Sequence, residues 1–238
     1  MHAYTVLYLI SGFAILEAFS YPSANTQVRL SHAKINVPDS PASNSINDNI
    51  TTLITFDDIR TRDGIADVPS PYHALNFSSA YWIVAPTDPA LDGYISDHDL
   101  NAAVSPPNAL IGSRFHPDDP SEDTPASFFL GASTAAREGL EPYFDLDSFY
   151  VKPLDAPAPG VWLFVRGYPY DDDREPLTWS VEFVVGYHEP FLVKIEEYSR
   201  AEWRALGKVE MWAQFGVQRL DWEFCVDDLR VRFHEAWK

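Results

Sequence analysis

The sequence predicts an all-β chain: an antiparallel β-sandwich of jelly-roll type with one short helix. Three observations carry this: period-two alternation of apolar residues, turn chemistry that cuts the chain at short intervals, and little helical periodicity. In Leu177-Thr178-Trp179-Ser180-Val181-Glu182-Phe183-Val184-Val185 every odd position is apolar and most even ones are polar. The stretch 208–215 repeats this, with Val209, Met211, Ala213 and Phe215 on one face. Such alternation sets one face of a strand on a core and the other in water. Phe191, Val193 and Ile195 mark a third strand, and 161–168 a fourth. Further candidates are 53–59, 74–84, 109–115, 127–130 and 143–151. Turn formers separate them: Pro106-Pro107-Asn108, Pro117-Asp118-Asp119-Pro120, Pro157-Ala158-Pro159-Gly160 and Tyr170-Asp171-Asp172-Asp173. The one helical signature is Ser199-Arg200-Ala201-Glu202, a capping-box spacing, followed by Trp203, Leu206 and Gly207.

The N-terminus has a different character. Residues 3–16 form an apolar run too short to span a membrane comfortably, and Ala18-Phe19-Ser20 follows with the small residues of a cleavage site. This predicts a signal peptide over 1–20 and hence a secreted, extracellular protein; a buried N-terminal helix or short anchor is the rival reading. No later segment has membrane-spanning length, so the mature chain is not expected to insert into a membrane. Residues 21–52, rich in Ser, Asn and Pro, read as a flexible leader that lends at most one strand to the body. The β-sandwich domain then occupies 53–238. Two acceptor sequons, at Asn49 and Asn76, fit a secreted glycoprotein.

Composition narrows the partners. Of 238 residues 35 are acidic and 17 basic, a formal charge of -18, which disfavours nucleic acid and anionic membrane surfaces. A single cysteine excludes an internal disulfide framework and any multi-cysteine zinc site. Cys225, between Phe224 and Val226, reads as a packed thiol.

Two strands carry acidic pairs where a sandwich strand favours apolar residues. Asp57-Asp58 opens the domain and Asp227-Asp228 closes it. Around the second pair the apolar parity shifts, from Trp222, Phe224 and Val226 to Leu229, Val231 and Phe233, which signals a β-bulge. First and last strands of a sandwich often pair, so the four carboxylates are expected to converge. Their repulsion would then call for a hard cation, and calcium suits carboxylate ligands in a structural role. The bland alternative is a loop start and a solvated bulge.

The motifs Phe56-Asp57-Asp58, Ser70-Pro71-Tyr72-His73-Ala74-Leu75-Asn76-Phe77, Ser105-Pro106-Pro107-Asn108-Ala109, Phe144-Asp145-Leu146-Asp147-Ser148-Phe149-Tyr150 and Asp227-Asp228-Leu229 occur in that order. The set resembles a broad group of secreted jelly-roll proteins, many fungal and some bacterial, similar to carbohydrate-binding modules and mostly without assigned activity. The resemblance implies a structural calcium between first and last strands, with Asp57 or Asp58 and Asp227 as ligands. Asn often stands at the position of Asp228 in the similar proteins, and the acidic loop 116–123 departs from their shorter form.

No nucleophile elbow and no H-E-x-x-H zinc motif is present. Asp97-His98-Asp99 reads as a solvated loop rather than a catalytic cluster, and no catalytic residue is assigned. Binding has better support, because sugar C–H faces stack on aromatic rings while hydroxyls need polar partners. Tyr81, Trp82, Tyr168, Tyr170 and Trp212 are the candidate ligand-binding residues, with Trp212 alternating away from the apolar set of its strand. The expected function is a secreted, non-catalytic binding module for carbohydrate or a cell-surface partner, steadied by calcium. The alternatives are a secreted glycan-active hydrolase on a jelly-roll fold, or a fungal host-interaction protein.

Overall fold

The chain is described from a computed structural model, over residues 49–113, 124–171, 173–215 and 220–236. The expected signal peptide, the leader up to residue 48 and the acidic loop 116–123 lie outside the described residues.

Two groups of strands, antiparallel throughout, make up the body. The first is centred on β13 (Phe224–Glu235), which pairs along its length with the long β7 (Leu140–Pro153). The other edge of β13 is shared by two strands placed end to end. Val226 is its last partner to β5 (Ala109–Gly112), and Leu229 its first partner to β1 (Asn49–Ile54). First and last strands therefore pair, as the sequence reading expects. The group is extended by β10 (Phe191–Lys194) beyond β7, and by β4 (Tyr81–Val84) and then β2 (Ile65–Asp67) beyond β5.

The second group is centred on β11 (Leu206–Phe215), with β8 (Val161–Pro169) on one side and β9 (Leu177–Glu182) beyond it. Its other side carries β6 (Ala126–Leu130), followed by β3 (Leu75–Phe77), and the short β12 (Leu220–Trp222). One pair, Leu206 with Phe144, links the two groups. Between them lies a single core, to which β8 and β11 send Leu163, Val165, Val209 and Met211, and β7 and β13 send Phe149, Val151, Val226 and Val231. The result is an all-β, sandwich-like body, and the alternation read from the sequence marks its inward faces correctly.

Three expectations need correction. The candidate strand 74–84 is two strands, β3 and β4, joined by a turn in which the Tyr81 amide donates to the Ser78 carbonyl, 3.1 Å. Residues 49–52, assigned to the leader, belong to β1. The helix expected to start at Ser199 is absent. A helix α2 (Ile195–Ser199) ends there instead, with Arg200 in the left-handed region at φ 57°. The Ser199 hydroxyl donates to the Ile195 carbonyl (2.7 Å) and accepts from the indole N–H of Trp203 (2.7 Å). Trp203 is fully buried, beside Gly167, where an added Cβ would sit 2.9 Å from its ring. Burying that indole outweighs a local capping signal, because propensity is a weak prior against tertiary packing. The helix that the pattern missed, α1 (Ala132–Glu138), has mostly small residues and no apolar stripe to announce it, and Gly139 ends it at φ 69°.

The chain between β4 and β5 folds over the outer face of β4, β5 and β13. A second small core forms there from Ala102, Ala109, Ile111 and Cys225, with Trp82 packed against it. Lys152 of β7 holds this crossing in place. Its fully buried ammonium meets the Asp99 carboxylate at 2.8 Å and donates to the His98 carbonyl (2.6 Å) and Asn101 Oδ1 (2.9 Å). Asp99 is thus a buried partner and not the solvated loop residue expected from Asp97-His98-Asp99. Removing one member of such a pair strands a buried charge, at about 3–5 kcal/mol.

Candidate functional site

The two acidic pairs border the place where β13 changes partners, both held to loop 104–108. Asp227 and Asp228 fall between the end of β5 and the end of β1, and the pairing of β13 with β7 shifts register there, which is the bulge the parity change predicts. Asp228 takes a left-handed φ of 48° to make it. Asp57 and Asp58 follow directly on β1, so the Ile54–Leu229 pairing delivers them to the same gap.

Loop 104–108 fills that gap with hydrogen-bond donors. Asp227, 1% exposed, accepts the amides of Val104 (2.7 Å) and Ser105 (2.9 Å) on one oxygen and the Asp228 amide (2.7 Å) on the other. Asp228 accepts the Ser105 hydroxyl at 2.8 Å. The Asn108 amide N–H donates to Asp57 at 3.3 Å, while its side chain donates to the carbonyls of Phe56 and Ile59, each at 2.8 Å. The Tyr72 hydroxyl donates to Asp58, which together with burial holds its pKa above the usual phenol range. Four of the ordered motifs therefore converge on one hydrogen-bonded junction.

Burial pushes the Asp227 carboxyl up to about 7, against the pull of the three amides that favour its anion. Protein donors take up much of the charge that a cation was expected to offset. Among the described residues no group of three or more His, Cys, Asp or Glu side chains is arranged to hold a metal ion, and none of the four aspartates meets a Lys or Arg.

The fifth motif lies next to this junction on β7. Asp145, 3% exposed, accepts the Ala205 amide at 2.9 Å and lies 3.1 Å from His234 Nε2. Arg232 spans Asp145 (3.7 Å) and Asp147 (3.1 Å), tying β13 to β7. An open groove of about 680 Å³ runs over the same strands and is lined by Tyr150, Leu192, Lys194, Asp228 and Arg230 among others.

The aromatic candidates are scattered. Tyr81 is 3% exposed, edge-on to Phe77, with its hydroxyl buried and without a hydrogen-bond partner among the described residues; burial also raises its pKa. A surface ligand does not reach it. Trp82, the next residue, faces the opposite way, into a pocket beneath the crossing chain. Tyr170 is exposed, 6.1 Å from the Tyr143 ring. Of the two sequon asparagines, Asn49 begins β1 opposite His234, and Asn76 lies in β3 with its side-chain oxygen accepting from Ser70 at 3.2 Å.

Tyr168 and Trp212 share one surface, the outer face of the β9–β8–β11–β6 sheet. Pairing registers lay it out in rows: Glu182, Trp162 and Gln214; Ser180, Phe164 and Trp212; Thr178, Arg166, Glu210 and Ser127; then Tyr168, Lys208 and Phe129. Trp212 is on this outer face as expected, yet 8% exposed, because the Phe164 ring stacks on it (5.2 Å, 8°) and the Arg166 guanidinium lies 5.1 Å from its centre. The aromatic surface open to solvent comes from Trp162 and Phe129, 39% and 40% exposed. Tyr168 donates to Glu210 at 2.7 Å, and Lys208 binds the same carboxylate at 2.7 Å. Trp162, Phe164 and Arg166 were not among the candidates, although the alternation of 161–168 puts them on one face with Tyr168.

With the fold and these surfaces in view, the chain is an all-β protein with a hydrogen-bonded acidic junction and an aromatic outer face. No family model and no curated protein matches it. Among solved structures it is similar to a DUF4465 family protein from Bacteroides ovatus, at 12% identity, over 78% of this chain and 99% of that one, with a TM-score of 0.43.

The junction has a pH signature. A carboxyl raised from 3.8 to about 7 in the folded chain holds a proton that the unfolded chain has already released. Its contribution to stability is fully present below the unfolded value and is lost as pH rises through about 7. In chelator-treated protein the Asp227 carboxyl carbon should titrate near neutrality by NMR, and the unfolding free energy should fall across that range. Titration of this carboxyl near the ordinary aspartate value would contradict the assignment.

Proposed function

We propose that the protein is a secreted, non-catalytic module that binds carbohydrate on the outer face of β8 and β11, with the Asp57, Asp58, Asp227 and Asp228 junction steadied by calcium. The observation that carries this reading is the position of Trp162. It is a half-exposed indole in one row with the carboxylate of Glu182 and the amide of Gln214. A sugar ring needs an apolar face to stack on and acceptors and donors at its rim, and this row supplies both. Six residues further along β8, Tyr168 repeats the combination with Lys208 and Glu210, about 20 Å away at strand spacing. That separation suits an extended saccharide lying along the strand. Phe164 and Trp212 stack on each other between the two ends. A cell-surface glycan offers the same chemistry as a free polysaccharide.

What supports the ion is the donor chemistry and the charge. Calcium takes six to eight oxygens, carboxylates among them. The junction has four carboxylates, one of them buried with its pKa pushed up to about 7. Asp57, Asp58 and Asp228 accept hydrogen bonds in a way that leaves lone pairs on their oxygens, while the oxygens of Asp227 are largely taken by the three amides. A bound cation there would neutralise charge that the amides of loop 104–108 only partly offset.

Two measurements test the two halves. On a glycan array the purified chain should bind at least one polysaccharide class, and Trp162→Ala should weaken it about tenfold, roughly 1.4 kcal/mol, with an unchanged melting temperature. An array that stays silent, or a Trp162→Ala variant that binds equally well, removes the platform. Removing calcium with a chelator should lower the melting temperature and adding it back should restore it. An unchanged melting temperature removes the ion and leaves the platform untouched.

A further inference from the structure

The second pocket stands apart from the carbohydrate platform, on the other layer. It is a cavity of about 320 Å³ between the outer face of β2, β4, β5 and β13 and the chain that crosses it, 86–102. Trp82, Leu91, Tyr94 and Ile95 give its walls an apolar and aromatic part. Its lining also includes three carboxylates, Asp99, Asp155 and Glu223. Among the described residues no Lys, Arg or His lines the cavity.

The three acids are not equivalent. Asp99 is neutralised from below by Lys152, whose ammonium is 2.8 Å away, and both its oxygens accept the Asp155 amide, at 2.9 and 3.2 Å. That contact fixes Asp155, which takes a left-handed φ of 55° just past the end of β7. Glu223 immediately precedes β13, and its carbonyl accepts the Leu154 amide at 3.0 Å, so the two strand ends hold Asp155 and Glu223 side by side. Neither carboxylate meets a basic side chain among the described residues. Water reaches Glu223 at the mouth, yet the enclosing walls and the neighbouring Asp221, Asp155 and Asp99 raise its pKa. At its solvent-exposed mouth the cavity therefore carries two carboxylates that no basic side chain among the described residues meets.

We propose that this pocket binds a small organic cation, an ammonium or guanidinium group carried on an apolar body. The cationic head would lie between Asp155 and Glu223, and the body against Trp82 and Tyr94. Aromatic walls suit such a ligand twice over, as apolar surface and through attraction of the cation to the ring faces. A neutral ligand would gain no charge attraction from the two carboxylates, and an anion would be repelled. The buried Lys152–Asp99 pair serves this site by pinning the crossing chain over it, which makes Lys152 a positioning residue rather than a contact.

Three probes of one shape separate these cases: phenethylamine, phenethyl alcohol and phenylacetate, titrated into the purified chain and followed by chemical-shift changes of the Trp82 indole N–H. Phenethylamine should saturate the signal, with the alcohol at least tenfold weaker and the acid silent. Glu223→Gln should weaken phenethylamine about tenfold and narrow its margin over the alcohol. Glu175→Gln, an exposed carboxylate elsewhere, should change nothing. Equal binding of amine and alcohol, no effect of Glu223→Gln, or no response to phenethylamine up to its solubility would each overturn the proposal. Glycan binding by the opposite layer is read independently and is indifferent to every one of these outcomes.

Discussion

The carboxylate of Asp227 is the point on which the body is assembled. β13 needs two partners along one edge, β5 and then β1, and a strand cannot pair with both at the same residue. The residues left between them would expose unpaired backbone in the middle of a layer, which is costly when buried. Asp227 resolves this by turning a side chain into the missing acceptor. It takes the amides of Val104, Ser105 and Asp228, and so stitches loop 104–108 into the gap. Asn108 completes the seam from the other side by donating to the carbonyls of Phe56 and Ile59. Without that seam β1, β5 and the chain leading to β2 would lose their common anchor. The burial that makes the anchor strong also raises the proton affinity of Asp227, so the same residue is both a brace and a cost.

From this seam the two outer surfaces follow. The layer of β13 and β7 carries the crossing chain, fastened by the buried Lys152–Asp99 pair, and a pocket opens beneath it where Trp82 faces outward. The layer of β11 and β8 has its outer face open over the described residues, where an aromatic and polar grid is displayed. Each surface uses the period-two rule differently. On β4 the inward Tyr81 and Ile83 belong to the main core, while Trp82 and Val84 serve the pocket. On β11 the inward Val209, Met211 and Ala213 leave Lys208, Glu210, Trp212 and Gln214 for the platform.

Much of this was legible in the sequence. Alternation identified the inward faces of β8, β9, β10 and β11, and the parity change at Asp227-Asp228 located the bulge. The pairing of first and last strands, which the sequence reading expected, brings both acidic pairs to the edge of one gap. Other features were hidden for physical reasons. Donors for Asp227 come from backbone amides, which every residue has and no motif announces. Tyr81 and Trp82 are adjacent and looked alike, but strand geometry sends neighbours to opposite faces, and only the register decides which is which. Trp212 lay on the correct face, yet its cover by Phe164 and Arg166 depends on cross-strand pairing between segments far apart in the chain. The partnership of Lys152 with Asp99 spans β7 and the crossing chain and has no local signature, so Asp99 passed for a loop residue.

Hydrogen exchange at the Val104 and Ser105 amides tests the central role of Asp227 most directly. Both lie in a loop, where amides ordinarily exchange through small local openings. If the Asp227 carboxylate holds the seam together, these two amides should exchange as slowly as the core amides of β13 and share their dependence on denaturant. Exchange at loop rates, unlinked to the opening of β13, would contradict the account.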